Sequence, residues 1–162
     1  EVAAMRKAVQ IAQAALEATL PAIHIGMSEK EIAGELVVNL LRNGTDPELP
    51  FAPIVCSGPN SANPHATPTD RELETGDLLL FDWGAAYRGY FSDITRTFAI
   101  GKISQEMHDI YQYVQAANAA GKAVGKPGLR AGEVDLALRT GGEQHPGQNG
   151  GKGQGIAGPA EK

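Results

Sequence analysis

The run Asp77-Leu-Leu-Leu-Phe-Asp82-Trp-Gly-Ala-Ala-Tyr-Arg-Gly-Tyr-Phe-Ser-Asp93-Ile-Thr-Arg-Thr-Phe98 constrains this chain more than any other stretch. Residues 78–87 and 90–100 are rich in β-formers, and Arg88-Gly89 is the turn between them, with Gly89 free to take positive φ. A two-residue loop there pairs Tyr87 with Tyr90 and, counting back, Asp82 with Thr95. Asp93 is then the diagonal neighbour of Asp82 on the same face. Diagonal positions lie roughly 7–8 Å apart, which leaves room between the carboxylates for two metal ions about 3.5–4 Å apart. One alternative is a solvated polar face, common in antiparallel sheets. Against it, Leu78, Leu80, Gly84 and Ala86 share the Asp82 face and are apolar or small. Two carboxylates in such surroundings repel each other and lose hydration unless a cation sits between them.

Upstream lies Phe51-Ala-Pro-Ile-Val-Cys-Ser-Gly-Pro-Asn-Ser-Ala-Asn-Pro-His65-Ala-Thr-Pro, followed by Asp70-Arg-Glu-Leu-Glu-Thr-Gly-Asp77. With the hairpin and its Asp-Ile-Thr-Arg-Thr-Phe motif, these residues closely resemble the catalytic domain of the Xaa-Pro aminopeptidase and prolidase family, relatives of methionine aminopeptidase and creatinase. The resemblance runs from about Met5 to about Leu138. It implies an α+β pita-bread fold and a site for two divalent ions, manganese, cobalt or zinc, in which Asp82 and Asp93 are two of five ligands. It also implies a peptide substrate, and His65 matches the family histidine that contacts substrate and steadies the tetrahedral intermediate. By itself, a histidine after Asn-Pro is more often a loop residue with a satisfied hydrogen bond.

The second half of the family's site is not legible here. The family supplies a histidine from a Gly-His-Gly-Ile-Gly-like stretch and two glutamates from later strands. The nearest counterpart is Gly153-Gln154-Gly155-Ile156-Ala157, with glutamine in the histidine's place, and the sequence stops at Lys162. Glu143 and His145 lie in a turn-like context that does not suit ligands. Residues 140–162 hold eight glycines and two prolines with scarcely one large apolar side chain, too little to offset the entropy of ordering. The expected organisation is therefore an N-terminal part of a pita-bread catalytic domain over 1–138, and a Gly-rich tail, disordered or aberrant, over 139–162. The fold is expected to be incomplete at its C-terminal end.

The formal net charge of −5 argues against nucleic acid or an anionic membrane as partner. No stretch approaches the ~18–20 apolar residues of a membrane span. The single cysteine, Cys56, excludes an internal disulfide, suits a reducing compartment and lies in an apolar run, so burial is expected rather than reactivity. A cytoplasmic protein is the expectation, and a homodimer is among the states the resemblance implies.

Helical periodicity runs over residues 1–20 and ends at Pro21. Ser28-Glu-Lys-Glu31 is a capping box that opens a second helix running to Asn43-Gly44. Residues 51–57 read as a strand and 58–77 as a loop. Ser104 caps a third helix expected to turn Met107, Ile110, Tyr111 and Val114 inward; Lys126-Pro-Gly128 breaks it, and Ala131 starts a fourth. His24 and His108 read as structural or solvated. Two functions stand: a metal-dependent exopeptidase acting on Xaa-Pro peptides through a metal-activated hydroxide, or an inactive pita-bread remnant serving as a binding or dimerisation module.

Overall fold

The computed structural model describes residues 1–143, which fall into two units, residues 1–102 and the helices that follow. In the first unit, helix α1 (Val2–Thr19) buries Ala8, Ile11, Ala12, Ala15, Leu16 and Thr19 along one stripe. A 3-10 turn carrying Pro21 ends it. Helix α2 (Glu29–Arg42) opens with the expected capping box: Ser28 Oγ accepts from the Glu31 amide, and the Glu31 carboxylate accepts from the Ser28 amide at 2.8 Å. Its buried stripe is Ile32, Leu36, Asn39 and Leu40.

Strands β1 (Ile54–Ser57), β2 (Leu78–Trp83) and β5 (Ile94–Ala99) form an antiparallel sheet with β2 in the middle. Period-two alternation sends Val55, Leu79, Phe81 and Trp83 into the core with both helices, where all four are essentially inaccessible. Each such side chain contributes roughly 1.5–3 kcal/mol by leaving water. Helices on one side of an antiparallel sheet make this an α+β arrangement. Trp83 donates its indole N–H to the Ala12 carbonyl at 2.9 Å, and Asn39 donates to Thr19 Oγ1 at 3.0 Å, so the polar atoms of the helix–sheet core are paired.

The hairpin turns where expected. Arg88 and Gly89 both take positive φ, 52° and 78°, the pattern of a type I′ turn. Arg88 is held in this conformation by its amide, which donates to Asp46 Oδ2 at 2.8 Å, while its guanidinium lies over the Tyr87 ring. The ladder is not continuous, however. β3 (Ala86–Tyr87) and β4 (Tyr90–Phe91) form a separate two-stranded ribbon. At the break the Ala85 amide donates to the Ser92 hydroxyl rather than to the Ser92 carbonyl, and a Cβ at Gly84 would collide with that carbonyl oxygen; on the outer edge of the ribbon Thr45 and Asp46 take up the hydrogen bonds of Ala86.

In the second unit, α3 (Gln105–Val124), capped by Ser104 Oγ, packs on α4 (Ala131–Glu143). Gly121 lies beside Leu138 and Gly141 beside Ala120, so a glycine on each helix makes room for a side chain of the other. Met107, Ile110 and Val114, expected to face inward, are exposed; the periodicity is real, but the seam with α4 lies further along α3. Helix α4 runs five residues past Leu138. The rest of the Gly-rich tail, with His145 and Gln154, lies outside the described residues.

Candidate metal centre

Asp82 sits near the C-terminal end of β2, half-buried, on the sheet face turned away from α1 and α2. Its register partners are Ile54 on β1 and Thr95 on β5. Thr95 donates its hydroxyl to Asp82 Oδ1 at 3.0 Å. Leu78 and Leu80, on the same face, are half-buried. The more apolar face is thus the opposite one, and the carboxylate looks out over a face that is partly open.

Asp93 immediately precedes β5 and is exposed. The pairs Ala86↔Phe91, Trp83↔Ile94 and Asp82↔Thr95 share one register, and the Ser92 amide donates to the Ala85 carbonyl at 2.9 Å in the gap between them. No extra residue intervenes, so Asp93 keeps the diagonal position to Asp82. What turns it outward is Ser92. This side chain is buried, accepts from the Ala85 amide at 2.9 Å and donates to the Ala8 carbonyl at 3.2 Å. Among the described residues no ion pair engages either aspartate.

His65 lies on the long loop between β1 and β2, exposed, with its amide donating to Asn63 Oδ1 at 3.1 Å. The next residue, Ala66, is buried and anchors that point of the loop. Among the described residues, no three His, Cys, Asp or Glu side chains converge as a metal site. The two aspartates fit a hard divalent cation by donor chemistry but form only part of a donor set. Glu143 stands at the end of α4. Cys56 is fully buried and its thiol is pushed up to about 11, first by loss of hydration and then by the nearby Glu29 charge, so without a metal beside it the side chain is a neutral thiol at neutral pH. Nδ1 of His24 lies 2.9 Å from the Ile25 carbonyl oxygen at an exposed position, and His108 is half-buried on α3.

One constellation carries no local signature in the sequence. Glu29, in the first turn of α2, is about 1 % exposed yet carries a carboxylate. Its Oε1 accepts from the Ser57 amide at 2.6 Å and hydroxyl at 2.9 Å. Oε2 accepts from Asn60 Nδ2 at 2.8 Å, the Thr69 amide at 2.9 Å and the Thr69 hydroxyl at 2.7 Å. Burial alone would push its pKa up; the hydrogen bonds from Thr69, Ser57 and Asn60 outweigh that and hold the carboxyl below its ordinary value. Beside it, Arg71 grips Asp77 with two N–H groups at 2.7 and 3.0 Å and donates to Ser57 Oγ at 2.7 Å. By sequence Glu29 is only the first-turn acid inside the Ser28–Glu31 capping box, and its donors Ser57 and Thr69 lie 28 and 40 positions away.

Residues 3–156 match the pattern of metallopeptidase family M24. The chain is 40% identical over 139 residues to an uncharacterized peptidase of Bacillus subtilis, covering 86% of this chain and 39% of that protein. It is 36% identical to the Xaa-Pro dipeptidase of Pyrococcus furiosus, covering 86% of this chain and 40% of that protein. Among solved structures it resembles an Xaa-Pro dipeptidase from Bacillus anthracis, with a TM-score of 0.83 at 40% identity over 87% of this chain and 39% of that one. The chain therefore spans about two fifths of the length of the curated relatives it matches.

Proposed function

Because the chain belongs to metallopeptidase family M24, with the α+β pita-bread fold in part, we propose that it carries one part of the site of an exopeptidase that removes the N-terminal residue from Xaa-Pro peptides. In this reading Asp82 and Asp93 hold divalent metal ions, manganese, cobalt or zinc, and His65 meets the substrate. The observation that carries it is the register: Asp93 stands diagonal to Asp82 with no ion-pair partner among the described residues. Bound metal supplies an acidified water for attack on the scissile carbonyl.

The chain's own residues have narrower tasks. Asp82 and Asp93 furnish negative charge and hard oxygen donors on one face. The Thr95 hydroxyl occupies Asp82 Oδ1 with one hydrogen bond and so fixes the direction of the remaining lone pairs. His65, on a loop rather than a strand, can approach a peptide bound over the same sheet and donate to the oxygen that gains charge in the transition state. Peptide is the partner on this reading, and the cytoplasm its compartment; a homodimer is compatible with it.

The alternative is a binding or dimerisation module that turns over no peptide. Release of the N-terminal residue from an Xaa-Pro dipeptide with manganese added separates the two. Turnover abolished by Asp82→Asn supports the peptidase; absence of both turnover and metal uptake supports the module.

A further inference from the structure

Glu29 is a buried carboxylate that no step above uses. Its five donors come from the two ends of one loop. Ser57 is the last residue of β1 and Asn60 lies in the 3-10 turn that follows, while Thr69 lies just before the chain returns toward β2. Between these anchors stands His65. A loop closed at both ends by one charged acceptor has far fewer conformations than a free loop of the same length, and charge-assisted hydrogen bonds are about twice as strong as neutral ones. Arg71 adds a second closure, since it joins Ser57 to Asp77. Gly58, at φ +50°, leaves space for that pair, because a Cβ there would fall 2.7 Å from Asp77 Oδ1.

We infer that Glu29 is a positioning residue for His65: it staples both feet of the 58–69 loop to the start of α2 and thereby sets where the imidazole stands. This rests on the reading of His65 as substrate-facing.

Glu29→Gln is the discriminating change. Whichever way the amide is turned, its NH2 meets a backbone N–H, that of Ser57 on the Oε1 side or that of Thr69 on the Oε2 side. One foot of the loop must therefore let go. In the full chain, amide hydrogen exchange over 58–69 is expected to speed up more than tenfold while Leu79, Phe81 and Trp83 keep their protection, and the His65 ring resonances should move to those of an unstructured histidine. With an Xaa-Pro dipeptide and manganese, kcat should fall at least tenfold with KM little changed. Unchanged loop exchange, equal acceleration in loop and β2, or a released loop with kcat retained would overturn the inference. If the wild-type chain turns over no Xaa-Pro peptide, the peptidase reading falls, while exchange and the His65 resonances still decide the staple. Should Glu29→Gln not fold, Thr69→Ala, at an exposed position that contributes one hydroxyl donor, is read by the same measurements at the C-terminal foot alone.

Discussion

Ser92→Ala isolates the contact that breaks the hairpin and turns Asp93 outward. The hydroxyl serves two buried backbone groups, accepting from the Ala85 amide and donating to the Ala8 carbonyl. Both residues are inaccessible to solvent. The Ala8 carbonyl sits inside α1 and keeps its helical bond, whereas the Ala85 amide is left without a partner. An unsatisfied buried donor costs about 1–3 kcal/mol, so about 2 kcal/mol is expected. That is roughly a 30-fold loss in the folding constant. With a urea slope of about 2 kcal/mol per M for a domain of this size, the midpoint falls by about 1 M. The single tryptophan, Trp83, is buried in the core of the first unit, so its fluorescence reports that unit's unfolding. The refuting result is a midpoint unchanged from wild type, which would mean that the hydroxyl bonds add nothing and that Asp93 is turned outward by other contacts.

Gly84→Ala introduces a methyl group against the Ser92 carbonyl and should cost more than Ser92→Ala does; equal stability in the same urea titration would count against the close approach. Glu29 makes stability pH-dependent: its carboxyl titrates lower in the folded chain than the ordinary 4.5, so its contribution is complete above about that pH and is lost as pH falls through the lower folded value. Glu29→Gln should be less stable than wild type at pH 7, and the gap should narrow below pH 4.5, as followed by Trp83 fluorescence. The Cys56 thiol, buried and raised to about 11, should resist Ellman's reagent at pH 8 in the native chain and react fully in urea; fast native reaction would contradict its burial.

Local signals carried well from sequence to structure. Ser28 and Glu31 form their capping box because both partners lie within one helical turn. Arg88 and Gly89 form the turn that fixes the Asp82–Thr95 register over thirteen residues. What stayed hidden depends on distance in the chain. Nothing near Ser92 signals that its hydroxyl reaches Ala8, 84 residues away. Glu29 reads as an exposed helix-start acid until its donors arrive from β1 and the His65 loop. The stripe of Met107, Ile110 and Val114 was visible as a pattern, but periodicity does not say which neighbour covers a face.

On the reading proposed above, one register aims two acids at a shared cation. A crystal structure of the chain grown with excess manganese, with the metal located by its anomalous scattering, addresses it directly. Manganese is expected within bonding distance of both the Asp82 and Asp93 carboxylates, with the Thr95 hydroxyl still on Asp82 Oδ1. Carboxylates pointing apart, or bonded only to water and arginine while manganese lies elsewhere, would contradict it.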